Sequence, residues 1–371
     1  MFFNAFQRAN AARLSALTSP LTSPLASRPA SPRPAGRSAS AKRRSRATVA
    51  LFLLLGASVL THGASAQTPA NTGARGQRAI GETVADHPSS VYRFERHTLD
   101  SADGKRHYRI ELAIPKMAAP SAGFPVLYML DGNSAMATLT HDDLTRLART
   151  RPVVLAAIGY DVETRNDVVS RAYDYTPPAY DHGKRTPPPV VRGREGGGAE
   201  VFLALIQARI VPLVRARAPV DPKQSYLWGH SYGGLFALHT LFTQPDAFAR
   251  YIVGDPSAWW NDGALVRTWQ AFNADRAAGK RIGIFVGTKP RDTPPPMSPP
   301  AASAPAAGTA PATSPTAPRA APPDQRAAVA DMADGLRAGG ANVTYETFPQ
   351  YGHGDMVRAS LERALQIVTE P

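Results

Sequence analysis

The chain has 371 residues, 43% of them hydrophobic, no cysteine and a net charge of +13. This length accommodates one large α/β domain or two small ones, and the lack of cysteine excludes disulfides, thiolate metal sites and a cysteine nucleophile. Nine basic residues and no acidic ones lie in residues 1–66, so the remainder carries +4 without a basic run, which argues against a nucleic-acid partner.

The N-terminus has the three parts of a secretory leader. A basic stretch at 42–46 precedes an apolar run at 47–60, and the small residues Ala64 and Ala66 form an A-x-A cleavage site. The alternative, a membrane anchor, requires an apolar run of about 18–20 residues, and this run is shorter. We therefore predict a signal peptide over 1–66, cleaved after Ala66. The mature protein then has no stable membrane span and is periplasmic or secreted.

Residues 67–89 have the composition of a flexible lead-in to a domain over 90–371. The domain opens with two segments, about 90–99 and 105–114, in which apolar and polar residues alternate. The Asp-Gly pair at 103–104 between them is a hairpin turn signal, so we predict two antiparallel strands.

The pattern then changes to continuous apolar runs, which are typical of buried parallel strands. Amphipathic segments of helical length separate the runs, so we predict a mostly parallel, doubly wound α/β sheet with helices on both faces. The predicted strands are Pro125–Leu130, Val153–Ile158, Tyr226–Trp228, Tyr251–Val253, Ile282–Val286 and Val343–Phe348. The predicted helices cover about 137–149, 199–217, 232–243, 263–278 and 324–338.

Residues 293–323 interrupt this alternation. The segment contains 11 prolines, with mostly alanine, serine and threonine between them. Such a composition forms extended, solvated chain rather than a packed layer. We predict a disordered surface insertion, with a partner-docking segment as the alternative.

The strand before Gly229 and the helix after Gly233 enclose the motif Gly-His-Ser-Tyr-Gly around Ser231. In a nucleophile elbow the serine adopts a positive φ at a sharp strand-to-helix turn, and small residues two positions before and after it give clearance. Gly229 and Gly233 occupy those two positions. We predict that Ser231 is the nucleophile of an α/β-hydrolase fold.

A serine nucleophile needs a base, and in this fold the order along the chain is serine, acid, histidine. His353 follows the predicted strand at 343–348 in a glycine-flanked loop, so we assign it as the base. Asp292 follows the strand at 282–286 and is the candidate acid. A Ser–His dyad without a carboxylate, or another acid such as Asp324, remains an alternative.

The oxyanion hole requires two backbone N–H groups. One belongs to Tyr232, directly after the nucleophile. The other comes from the loop after the strand at 125–130, where we assign it to Asn133 or Gly132. Asp131 is interpreted as a structural residue that holds this loop.

The chain shows no H-E-x-x-H motif and no histidine pair at metal-ligand spacing, so no metal is predicted. His230 and His239 receive no catalytic role. No phosphate loop or dinucleotide fingerprint is present either, so we expect no cofactor.

Six ordered motifs resemble the siderophore-esterase branch of the α/β hydrolases, which contains salmochelin, enterobactin and bacillibactin esterases. The motifs are Pro125–Asn133, Arg171–Pro177, Gly196–Glu200, Trp228–Leu235, Pro256–Trp260 and Gly352–Gly354. The resemblance implies Ser231 as nucleophile and His353 as base, and some members work as a dyad. It also implies substrates such as the cyclic trilactones of catecholate siderophores.

Four further residues are candidates for substrate binding. Arg171 and Asp174 are read either as a substrate-binding pair or as an ion pair that fixes the loop before Pro177. Trp259 and Trp260 are placed to stack on an aromatic acyl group, with one of them in the core.

The sequence thus predicts a secreted or periplasmic serine esterase whose partner is a small-molecule ester, with a ferric siderophore as the leading substrate. A general carboxylesterase and an acyltransferase share the same chemistry and stay open as alternatives. A non-catalytic binding protein that retains the fold is the third class.

Overall fold

Residues 78–181, 183–290 and 325–370 are described by a computed structural model. The predicted leader, the insertion at 293–323 and the two candidate acids Asp292 and Asp324 lie outside these ranges. Among the described residues, no helix is both long and apolar enough to cross a membrane.

Twelve strands are present, and eight of them form one central sheet. In chain order the strands are β1 (Tyr92–Asp100), β2 (His107–Pro115), β3 (Phe124–Leu130), β4 (Val154–Tyr160), β5 (Tyr180–Asp181), β6 (Lys184–Arg185), β7 (Val190–Val191), β8 (Arg194–Glu195), β9 (Val220–His230), β10 (Arg250–Gly254), β11 (Arg281–Gly287) and β12 (Asn342–Phe348), counted within the described ranges. The large sheet has the order β1-β2-β4-β3-β9-β10-β11-β12. β1, β2 and β4 pair antiparallel, and all the other pairs of this sheet are parallel.

Helices connect these strands. They are α1 (Gly132–Met136), α2 (His141–Thr150), α3 (Ser170–Asp174), α4 (Ala199–Leu205), α5 (Val211–Arg217), α6 (Tyr232–Thr243), α7 (Trp260–Gln270), α8 (Gln325–Ala338) and α9 (Met356–Ile367). A π-helical turn at Ile206–Ile210 joins α4 to α5.

Burial explains the position of the sheet. Every residue of β3 and β4 is buried, because helices cover both faces. Buried residues of α4, α5, α6, α7 and α8 form one apolar cluster with the sheet, and those of α1, α2 and α9 form a second. In β1, at the edge, only Tyr92 is buried, and the remaining positions are partly buried or exposed. The predicted doubly wound α/β fold with an N-terminal antiparallel hairpin is therefore confirmed.

Two parts of the prediction are wrong in detail. Residues 78–89 of the expected flexible lead-in are packed on the domain: the N–H of Ile80 donates to the carbonyl of Glu163, and Val84 is buried. The predicted helix at 263–278 begins earlier and ends earlier, at Trp260–Gln270. Three successive positive φ angles interrupt its first turn, at Asn261, Asp262 and Gly263.

Candidate active site

Ser231 occupies the sharp turn between β9 and α6. Its backbone angles, φ 61° and ψ −116°, lie in a strained region that functional residues often occupy. The glycines on either side are in close contact: a Cβ on Gly229 would lie 2.4 Å from the carbonyl carbon of Gly233. The N–H of Ser231 donates to the carbonyl of Gly254 on the neighbouring strand at 2.9 Å. The turn has the geometry that the sequence predicts for a nucleophile elbow.

His353 reaches this turn from the loop between β12 and α9. The N–H of Gly352 donates to the carboxylate of Asp355 at 2.9 Å, and the carbonyl of Tyr351 accepts from the N–H of Lys289 at 3.1 Å, so the loop is held at both ends. The Nε2 atom of His353 lies 3.0 Å from Oγ of Ser231. The structure thus brings the predicted nucleophile and base within hydrogen-bond distance, although 122 positions separate them.

Asp255 contacts the other nitrogen of the same imidazole. Its Oδ2 atom lies 2.5 Å from Nδ1 of His353, and its side chain is 6% exposed whereas that of His353 is 44% exposed. The backbone of Asp255 has a φ of 39°, and its N–H donates to the carbonyl of Phe285 at 2.7 Å. The carboxylate is therefore fixed and sheltered, while the histidine ring borders solvent.

The sequence analysis missed Asp255. It sought the acid after β11, at Asp292, whereas the carboxylate that touches His353 follows β10. The alternative of a dyad without a carboxylate does not describe this site either. The sequence did contain a signal for this residue. Asp255 follows the apolar run at 251–253 after a single glycine and precedes Pro256, and parallel strands place such residues at the same edge of the sheet.

His230 packs against His353, although the sequence analysis gave it no role. Its Nε2 lies 2.8 Å from the carbonyl oxygen of His353, so this nitrogen carries a proton, and the two ring centres are 4.8 Å apart. Burial, and then the charge of His353, hold the pKa of His230 well below its usual range. His230 is thus a neutral donor that holds the histidine loop.

His230, Asp255 and His353 each offer a metal-ligand atom, and these atoms lie within 4.8 Å of one another. Each is already engaged within the protein, since His230 donates to a carbonyl and the other two contact each other. We assign the cluster to proton transfer rather than to metal binding.

The N-terminus of α6 offers one predicted oxyanion donor. The first N–H groups of a helix lack partners within the helix, and within the described residues the N–H of Tyr232 donates no hydrogen bond. It follows the nucleophile directly, which is the position of one oxyanion donor in a nucleophile elbow. Its assignment as a donor stays a prediction.

The loop after β3 supplies the second predicted donor. A Cβ on Gly233 would lie 3.4 Å from Cβ of Leu130, so this loop borders the elbow. The N–H groups of Gly132 and Asn133 start α1. The side chain of Asn133 is not free to act, because its Nδ2 faces the carbonyls of the segment after β4. Those carbonyls belong to Tyr160, Val162 and Thr164, at 2.9, 3.3 and 3.0 Å.

The predicted pairing of Arg171 with Asp174 is wrong. Arg171 donates through Nε and a terminal nitrogen to the two carboxylate oxygens of Asp131, at 2.8 and 2.6 Å. Asp174 instead lies 3.1 Å from Nε of Arg106 and accepts from the hydroxyl of Tyr160. Burial raises the pKa of Asp174 to about 7. The Asp131 loop is thus held as predicted, with Arg171 as its partner.

The two tryptophans differ in position. Trp260 is 1% exposed and is the one of the pair that lies in the core, as expected for one of them, so it is not a substrate-stacking residue. Trp259 is half-buried, and its ring centre lies 6.1 Å from that of Tyr232. The guanidinium of Arg192 lies 4.1 Å from the ring centre of Trp259. Only Trp259 of the pair borders the site.

Comparison with known proteins agrees with this geometry. Residues 101–312 match the model of the Esterase family, described as "Putative esterase". The apo-salmochelin esterase of Escherichia coli O6:H1 is 33% identical over 324 residues, which cover 87% of this chain and 92% of that protein. The ferri-bacillibactin esterase BesA of Bacillus subtilis is 35% identical over 186 residues, 48% of this chain and 63% of that protein.

Solved structures extend the likeness to three dimensions. The enterobactin and salmochelin hydrolase IroE superposes with a TM-score of 0.61 at 31% identity, over 78% of this chain and 99% of that one. Its complex with DFP gives 0.60 at 30% identity, with the same coverage. DFP is an inhibitor of serine hydrolases, which fits the serine at the turn described above, 3.0 Å from the imidazole of His353.

Proposed function

The chain belongs to the Esterase family and is a serine hydrolase, and from this premise we propose that it hydrolyses the ester bonds of a siderophore through an acyl-enzyme on Ser231. The observation that carries the proposal is the continuous line of contacts from Ser231 through His353 to Asp255. A hydroxyl, an imidazole and a carboxylate in this order constitute a catalytic triad, which recurs on unrelated folds.

In the first step, Oγ of Ser231 bonds to the ester carbonyl carbon while its proton passes to Nε2 of His353. The carbonyl π electrons move to oxygen, where the N–H groups of Tyr232 and Asn133 stabilise the oxyanion. The oxyanion then collapses, the ester C–O bond breaks, and His353 gives its proton to the leaving alcohol. Asp255 stabilises the imidazolium that forms between these events.

Water completes the cycle. His353 removes a proton from a water molecule as its oxygen bonds to the acyl carbon, and the bond to Oγ of Ser231 then breaks with return of the proton. The half-exposed ring of His353 is accessible to water as the acyl acceptor. Analysis of the products distinguishes hydrolysis from acyl transfer to an alcohol.

The surroundings of Tyr232 support an anionic substrate. The positive charges of Arg192 and Arg194 act on its phenol, whereas that of Arg171 is balanced by the carboxylate of Asp131. Catecholate siderophores combine negative charge with aromatic acyl groups, and the half-buried Trp259 adds an aromatic ring beside these arginines. Together with the salmochelin and bacillibactin esterases to which the chain is similar, this lining favours a siderophore over a neutral lipid ester.

The test is hydrolysis of p-nitrophenyl acetate and of ferric enterobactin by the protein, its Ser231→Ala variant and a Ser90→Ala control, an exposed serine. Opening of the trilactone by the wild type and the control, but not by Ser231→Ala, is the expected result. Turnover of the simple ester alone would retain the mechanism and reject the siderophore. No turnover of either would move the acyltransferase and binding-protein hypotheses ahead.

The place of action is a further part of the proposal. The leader pattern of residues 1–66 supports export, so the mature protein begins at Gln67 and acts in the periplasm or outside the cell. N-terminal sequencing of the protein from fractionated cells tests this. Recovery of the uncleaved chain from the cytoplasm would refute it.

A further inference from the structure

A second hydroxyl lies beside the nucleophile. The Oγ atoms of Ser257 and Ser231 are 3.2 Å apart, and Ser257 is 1% exposed. Within the described part of the chain, the Ser257 hydroxyl makes no other hydrogen bond. We propose that Ser257 is a catalytic residue whose hydroxyl donates to Oγ of Ser231 while that oxygen carries negative charge, a role that depends on the function proposed above.

The backbone holds this hydroxyl in place. The N–H of Ser257 donates to the carbonyl of Ser231 at 3.0 Å, and its own carbonyl accepts from the N–H of Trp260 at 3.1 Å. Asp255 stands two residues earlier on the same turn. One short segment after β10 therefore presents the carboxylate to the base and the hydroxyl to the nucleophile.

The network determines which serine donates. A carboxylate only accepts, so the Nδ1 atom of His353 that faces Asp255 carries the proton, and Nε2 of the neutral ring is an acceptor. The hydroxyl of Ser231 must therefore donate to Nε2. Because that hydroxyl has one proton, the bond between the serines is donated by Ser257.

This direction matters most when charge develops on Oγ of Ser231. In acylation, Oγ forms its bond to the carbonyl carbon as its proton leaves for His353. In deacylation, the C–Oγ bond breaks and its electron pair returns to Oγ before the proton does. An alkoxide-like oxygen is a much stronger acceptor than the ester oxygen of the acyl-enzyme. The donor thus stabilises both transition states more than the intermediate, as catalysis requires.

The rate at which DFP labels the protein reads out this effect directly, because the Oγ–P bond forms and the P–F bond breaks without help from a substrate pocket. In Ser257→Ala we expect the labelling rate and kcat for p-nitrophenyl acetate to fall about 10-fold or more. KM should change little. Ser257→Thr restores a hydroxyl and should recover much of the loss.

Ser360→Ala is the matched control, since Ser360 is also fully buried but bonds to the indole N–H of Trp228 instead. It should be labelled at the wild-type rate. Ser257→Cys, whose thiol is a weak donor, should fall between wild type and alanine. If Ser257→Ala melts at a much lower temperature than the wild type, Ser257→Cys replaces it as the test.

The outcomes separate this inference from the proposed function. Wild-type labelling rates in folded Ser257→Ala would refute the role of Ser257 and leave the triad standing. If the alanine, cysteine and threonine variants of Ser257 all show the same reduced labelling rate, the loss comes from altered packing and not from a lost hydrogen-bond donor. That result would also refute the role of Ser257. If the wild type is not labelled, or Ser231→Ala is labelled as well, the proposed function itself fails.

Discussion

The carboxylate of Asp255 lies 2.5 Å from Nδ1 of His353, and the opposite nitrogen of the same ring faces Oγ of Ser231 at 3.0 Å. Asp255→Asn keeps the size of the side chain, but its amide is able to donate and so stabilises the wrong tautomer. We expect kcat to fall on the order of 10³-fold with little change in KM. Steady-state kinetics measure this.

Asp331→Asn on the exposed face of α8 is the control for this change and should behave as wild type. An Asp255→Asn enzyme that keeps most of its turnover would show that His353 works without its carboxylate. The site would then function as the dyad that the sequence analysis left open.

Local chemistry explains which parts of the site the sequence could predict. The elbow needs glycines at fixed offsets from Ser231, and His353 lies in a glycine-flanked loop. Both features can therefore be recognised from a few neighbouring residues in the sequence. The acid of the triad cannot be recognised in this way, because any acidic residue at the carboxyl edge of the sheet is a candidate until the strand order is known. The pairing of β9 with β10 brings Asp255, rather than a residue after β11, to the histidine.

The partner of Arg171 and the structure of the segment after it also could not be predicted from neighbouring residues. The sequence analysis paired Arg171 with Asp174 in the loop before Pro177, but Asp131, 40 positions earlier, binds Arg171 from an adjacent loop. The short hairpins β5–β6 and β7–β8 went unpredicted because strands of two residues have no periodicity to detect. The continuous apolar runs and the amphipathic segments between them did predict the sheet and its covering helices, because both patterns are local in the sequence.

The side chain of Asn133 is expected to control catalysis through the backbone. Its amide faces three carbonyls, so a carboxylate at this position would repel them and shift α1. In Asn133→Asp we expect kcat to fall about 100-fold while KM changes little, because the oxyanion donor moves but the substrate pocket does not. The exposed Asn342→Asp on β12 is the control. Unchanged kcat in folded Asn133→Asp would remove this loop from the oxyanion hole.

Arg192 is expected to select for substrate charge. Its guanidinium lies on Trp259 beside the site, so Arg192→Gln should raise KM for ferric enterobactin by about 3- to 10-fold and leave KM for neutral p-nitrophenyl acetate unchanged. Added salt should reduce the difference between variant and wild type. Arg149→Gln, an exposed arginine on α2, is the matched control. An equal rise in KM for both esters would indicate loss of packing rather than of charge.

Stability at acidic pH is expected to depend on His239, in the middle of α6. The residue is 5% exposed, and within the described residues neither of its ring nitrogens has a hydrogen-bond partner. Burial lowers its pKa to about 4. Between about pH 4 and 6.5 the unfolded chain therefore binds a proton at this histidine that the folded protein does not, so stability falls as the pH falls through this range.

Replacement of His239 by leucine removes this proton linkage and fills the same apolar site. The free energy of unfolding of His239→Leu, relative to wild type, should be greater at pH 5 than at pH 7.5 by about 2 kcal/mol. Denaturant titrations at the two pH values measure it, with His141→Leu, an exposed position on α2, as the control for loss of a histidine from the unfolded chain. A relative stability that is equal at both pH values would mean that His239 takes up its proton without unfolding. The buried imidazole would then have a polar partner or access to water in solution.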